Sequence, residues 1–251
     1  MAFPTIPTTG ASQILFTLNT AGGATKTFPS LTTLAQNAGD LLIAICIEYD
    51  GNSTNAEFSG WGGGFTEFAD QAGTATMAIG AAYKFSDGTE TGTFTVTTAD
   101  TSTNDSCMIL MAIPGAHTST PPEAGTMATG TAPDSGAFNP AGWDAEDTLW
   151  ISVGASGETS TTGSFTGITT APANYTGQAD SGISADAVGG VEGSVAFRQL
   201  NAASEDPGTW SMDTSNARGA SLLIAVRPAP VVEANLPIIA MLPPIPHTRA
   251  W

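Results

Sequence analysis

The sequence predicts an all-β protein: a β sandwich of jelly-roll-like character, built from two similar halves and finished by an extended terminal arm. Three observations carry this. Only 12% of residues are charged while Gly, Ala, Ser and Thr crowd the chain, a composition of short strands and tight turns. Continuous apolar runs such as LLIAICIEY and SCMILMAI stand beside period-two stretches such as TFTVT, and no stretch has a helical period. Finally, the chain says nearly the same thing twice.

Residues 1–37 form an N-terminal segment expected to add one strand, QILFTL, before a turn at Pro29. The first half, 38–116, opens on AGDLLIAICIEYDG, and the second, 144–228, opens on the similar AEDTLWISVGASGE. TATMAIGAAYKFSDGTETGTFTVTTAD is answered by GGVEGSVAFRQLNAASEDPGTWSMDTSN, which sets Tyr83-Lys84 on Phe197-Arg198, Glu90 on Glu205 and Phe94 on Trp210. SCMILMAIPGA then matches GASLLIAVRPA as the closing strand of each half. The offset between matched positions drifts from 107 at Asp40 and Asp147 to 115 at Glu90 and Glu205, as it does when loops differ and strands do not. Between the halves, 117–143 is rich in Pro, Gly, Ser and Thr and reads as a long surface connection. Two β halves of this size bury their faces best against each other; two separate small sandwiches are the alternative.

Charge narrows the partners. Six Lys+Arg against 23 Asp+Glu give a net charge of −17, so the surface repels phosphate backbones and anionic lipid heads, and neither nucleic acid nor membrane is expected as a partner. No apolar run reaches the roughly 20 residues that span a bilayer. The start, MAFPTIPTTG, has no basic stretch leading into an apolar one, so synthesis and assembly in a cytoplasm are expected. Cys46 and Cys107 lie inside apolar runs and read as buried free thiols rather than a disulfide.

No catalytic or cofactor signature is present: there is no HExxH, no Cys/His cluster, no GxSxG and no phosphate-binding glycine loop, so neither enzyme activity, cofactor nor metal is expected. Asp144, Glu146 and Asp147 crowd together as the charged start of a strand rather than as a glycosidase pair. The acidic stretches holding Asp50, Asn52 and Glu57, and Asp100 and Asp105, offer oxygens that calcium prefers, but they lack EF-hand spacing and read as solvated turns. Lys84 and Arg198 occupy equivalent places, each a few residues before an acid, Glu90 or Glu205, and are expected to form structural ion pairs. Trp61 in GWGGGF and Tyr175 in PANYTG are the candidate aromatic platforms for a glycan.

The pattern of GDLLIA, then GW, an aromatic-basic pair, an acid a few residues before Phe94 or Trp210, and a closing LLIAV-R resembles the duplicated β-sandwich virion proteins of tailed bacteriophages and gene-transfer particles. The resemblance covers 38–228; the second half departs from it, with APANYTG where the first has FSGWGGG. It implies a non-enzymatic accessory protein on the outer surface of the virion: a head decoration, the base of a head spike or fibre, or a tail-associated component. The implied partners are further copies of itself in a symmetric homo-oligomer and other virion proteins, such as a major capsid or fibre protein. A carbohydrate-binding or host-adhesion module that contacts a host surface glycan is the competing reading.

The last segment, 229–251, is apolar and punctuated by proline. Pro237 introduces Ile238, Ile239, Met241 and Leu242, with Ile245 and Trp251 beyond. Prolines fix φ and lower the entropy lost on docking, so this arm suits a groove, on its own domain or, the favoured reading, on a neighbouring protomer or another particle protein.

Overall fold

A computed structural model describes residues 2–20, 23–49, 58–72, 77–99, 105–158, 167–182, 184–185, 190–212 and 218–230. The strands, in chain order, are β1 (Ile14–Asn19), β2 (Thr25–Thr27), β3 (Leu41–Tyr49), β4 (Phe58–Ser59), β5 (Thr66–Ala72), β6 (Met77–Phe85), β7 (Thr95–Thr98), β8 (Ser106–Ile113), β9 (Glu123–Ala124), β10 (Ala128–Gly130), β11 (Glu146–Glu158), β12 (Ile168–Thr170), β13 (Thr176–Asp180), β14 (Ser184–Ala185), β15 (Gly190–Ala202), β16 (Ser211–Met212) and β17 (Arg218–Val226).

Two large antiparallel sheets result, with orders β1-β8-β3-β6-β5 and β10-β17-β11-β15-β13. The orders are the same when the opening, middle and closing strands of each half are set in correspondence. Register agrees as well. Ile45 pairs with Ala81 and Ile109, and Val153 pairs with Val195 and Leu222. The closing and middle strands therefore match as their sequences read, whereas the opening strand is displaced by one residue: Ile45 corresponds to Val153, not to Ser152. A one-residue slip exchanges the two faces of a strand, and the acidic lead-ins at Asp40 and Asp147 had masked it.

The sheets face each other, β8 across from β15 and β6 across from β17, with β3 near β11. Gly157 at the end of β11 lies against Tyr49 and Met77, so both opening strands run toward the same end. The halves are thus related by an approximate two-fold along the strands. Between them lies one core of Leu41, Ile43, Ile45, Ile47, Ile109, Met111, Ile151, Val153, Leu222 and Ile224, all at most 1% exposed. This is a sandwich interior.

The outer faces are covered too. Leu42, Ala44, Met108 and Leu110 pack under Phe28, Phe58, Phe65, Phe94 and Val96, carried by the small sheet β2-β7-β4 and its flanking loops. In the other half Trp150, Ala196 and Leu223 pack under Trp210, Ile168 and Met212 around the pair β12-β16. A strand buried on both faces needs apolar residues at consecutive positions, which is why β3, β8 and β17 read as unbroken runs. Glycines make room for the covering aromatics: a Cβ at Gly154 would stand 2.7 Å from Trp210 Cδ2, and one at Gly80 would strike the Phe58 ring.

Residues 117–143 are more structured than a surface connection. β9 and β10 pair with β17, Phe138 bridges to Glu205, and Trp143 is buried. Cys46 and Cys107 are free and buried on neighbouring strands; Cys107 faces the shared core and Cys46 the outer cluster, so they point to opposite sides of one sheet.

Candidate functional site

The two ends of the sandwich differ. At the far end, where β3 and β11 finish, the connections after β1, β3, β5, β7, β11, β13 and β16 all depart. At the near end, where β3 and β11 begin, the chain's first and last described segments come together on one turn.

That turn follows β8. Gly115 turns it with φ +77, a left-handed value that favours glycine. The N–H of Thr5 donates to Pro114 O at 2.8 Å and the N–H of Ala229 donates to Gly115 O at 2.9 Å. Ala116 bridges to Pro228, and His117 N–H donates to Arg227 O at 2.8 Å. Arg227 is itself fixed: its guanidinium grips the Glu146 carboxylate with two hydrogen bonds and lies 5.9 Å from the centre of the Trp143 ring. The Arg227 hydrogen bond holds the Glu146 carboxyl below its ordinary range despite partial burial. The start of the arm is therefore anchored by a charged clamp, and Gln199 Nε2 ties the N-terminal segment at Pro4 O, 2.7 Å away.

The same end holds both repeated ion pairs. Lys84 Nζ lies 3.4 Å from Glu90 Oε1, and Arg198 Nη1 lies 2.6 Å from Glu205 Oε1. Burial alone would raise Glu90, but the Ser86 hydroxyl, the Asp87 N–H and Lys84 outweigh it and hold the carboxyl at about 2. Through Ser86 and the Glu90 carbonyl this cluster also binds Gln36, so it ties the segment before β3 to the turn after β6. Glu205 joins Arg198 to the segment around Phe138 and to the Tyr175 hydroxyl.

Tyr175 is buried rather than presented on the surface. It is 8% exposed, in the covering cluster beneath which Trp150 lies, and burial raises its hydroxyl well above the ordinary phenol range. Trp61 is half-buried against Phe28 and Phe58, and its indole N–H donates to Glu67 Oε2 at 2.7 Å. The arm residues Pro237, Ile238, Ile239, Met241, Leu242, Ile245 and Trp251 lie outside the described residues, as do Asp50, Asn52, Glu57 and Asp100. Asp105 is buried at the start of β8. Among the described residues no group of three or more His, Cys, Asp or Glu is placed to hold a metal.

Three buried ionisable residues, at two places, escaped the sequence reading. Lys26 Nζ meets Glu48 Oε1 at 3.1 Å with both side chains fully buried beneath the small sheet of the first half. Glu192, on β15 in the other half, takes the Ile168 N–H at 2.5 Å and is pushed by burial up to about 7, with Asp180 adding to the rise. The available signal was an acid inside an apolar run, in IAICIEY and GGVEGSVAF.

Comparison of the chain with protein-family models, with curated proteins and with solved structures gave no match.

Proposed function

We propose that the protein is a non-enzymatic structural component of a particle: a virion-type surface protein, a head decoration or the base of a spike or fibre, that attaches through its termini. One observation carries this reading. The first and last described segments are both tied to the 114–117 turn at one end of the sandwich, while the polar connections depart from the opposite end. A domain so arranged has an attachment pole and a free pole. Functional loops gather at one end of a rigid sandwich for the same geometric reason.

Three further features support it. The repeated strand order and register favour descent of both halves from one duplicated unit, as in the virion proteins the sequence resembles. Four of the six cations, Lys26, Lys84, Arg198 and Arg227, are committed to internal ion pairs. The net charge of −17 is therefore carried by a surface poor in positive groups, which keeps a high-copy shell protein soluble and off an enclosed genome.

The test is the mass in solution, by light scattering, of the full chain beside a chain ending at Pro230. A symmetric oligomer that falls to monomer on truncation, with unchanged circular dichroism, is the expected result. Two monomers of equal behaviour would sink the reading.

A further inference from the structure

Among the described residues the strand orders of the two large sheets end on β1, β5, β10 and β13, and the last three are protected. β5 carries a bulge between Glu67 and Ala69, and its Gln71 side chain binds Gly125 O and Met127 N–H, at 2.6 and 2.5 Å. β13 has a register shift between Thr176 and Ala179, a left-handed Gly177, and Asp180 at its end. β10 is three residues of small side chains. Bulges, charges and brevity are the devices by which edges avoid pairing with other chains.

β1 has none of them. Its six residues, ILFTLN, contain no charge, proline or glycine and pair with β8 in unbroken register. Among the described residues β8 is its only strand partner. Phe16 and Leu18 pack on the rim of the shared core and Leu15 on the rim of the outer cluster, all partly exposed. It is composed like a central strand, apolar toward both faces, and stands at an edge.

We propose that the free edge of β1 receives the run Ile238–Leu242 of a second copy's C-terminal arm as an added strand. This rests on the reading of the protein as one that assembles through its arm. IIAML is apolar on both faces, as a strand flanking β1 must be, and Pro237 and Pro243 bound it where a strand tolerates proline, at its limits. The source is a second copy because of direction. The arm is rooted at the near end by the Ala229–Gly115 bond, and β1 starts at that end, Ile14 being paired with Met111. The seven residues 231–237 span at most about 25 Å, so a chain's own arm reaches β1 at its start and adds parallel to it. Every strand pairing among the described residues is antiparallel, and an arm arriving from another copy is free to adopt that direction.

The probe is a fluorescent peptide of residues 236–246, titrated by anisotropy into the chain ending at Pro230, whose fold is checked by circular dichroism; the core residues among those described lie at or before Val226. The peptide is expected to bind, and at least tenfold more weakly when it carries Ile239→Pro, a change that cannot unfold the protein. Leu18→Pro in the protein, at a position whose N–H faces away from β8, is expected to abolish binding. For the source, full-length Leu18→Pro, which keeps an arm but has a blocked edge, is mixed with the chain ending at Pro230, which has an edge but no arm. A one-to-one complex is expected by mass. Equal binding of both peptides, or peptide binding without a mixed complex, would overturn the proposal. If truncation dissolves the oligomer yet the peptide ignores β1, this docking site fails and attachment through the arm stands.

Discussion

Glu48 and Glu192 are both acids buried beneath the covering layers, and they meet their charge differently. Glu48 has Lys26, 3.1 Å away. Replacing Lys26→Met takes the cation away from that buried carboxylate and is expected to cost about 3–5 kcal/mol in urea unfolding, most of it recovered by the double change with Glu48→Leu. Glu192 has a backbone N–H and the nearby Asp180 instead of a cation, and burial pushes it up to about 7 from an ordinary 4.5. The folded chain thus holds this proton more tightly than the unfolded chain does. Its stabilisation is complete below pH 4.5 and is lost as pH rises through 7, with a slope of at most about 1.4 kcal/mol per pH unit. Glu192→Gln keeps the acceptor and removes the charge; unfolding free energies should match wild type near about pH 4 and exceed it near about pH 8. Glu90, held at about 2, works in the opposite sense: its contribution is present above 4.5 and is lost as pH falls through 2. Lys84 and Arg198 were legible in the sequence because cations are scarce and these two recur at matching places. Lys26 was not, since its partner lies on another strand 22 residues away and TKT reads as an exposed strand.

Among the elements, the strands at the sheet centres were legible because burial on both faces forces unbroken apolar runs. The covering sheets were not, being two to four residues long with no period to read. Glycines inside the central strands were the overlooked clue. Gly154 is flat so that Trp210 can lie on it, with the indole N–H donating to Ser152 Oγ at 2.9 Å. Gly154→Ala is expected to cost about 1–3 kcal/mol, lowering the calorimetric Tm by about 2–4 °C per kcal/mol, because a buried ring has nowhere to retreat. Gly10→Ala is the control: no atom lies within 4 Å of the added Cβ, and a change within about 0.5 kcal/mol is expected. The slip in the opening strand has a related cause. Asp40 and Asp147 look alike but stand one residue apart relative to the sheet, a difference that only pairing with the middle and closing strands exposes.

At the scale of the whole molecule, the shared core makes the halves interdependent. Each sheet leaves a full apolar face bare without the other, so 1–116 and 117–251 made separately are expected to aggregate or lack strand signal in far-ultraviolet circular dichroism. Made together, they should yield a complex with the mass of one chain. The repeated grammar predicts two similar halves but not whether they face each other, because apolar faces in a sequence carry no address. The fold does not depend on the order in which its two halves are written. With Thr5 and Ala229 hydrogen-bonded to adjacent carbonyls of one turn, a short glycine-serine bridge closes the backbone into a ring, and the ring is reopened in the exposed stretch 129–132. Such a permuted gene, reading second half before first, should give the same sandwich with a Tm within several degrees of the parent, and its new ends would emerge away from the 114–117 turn.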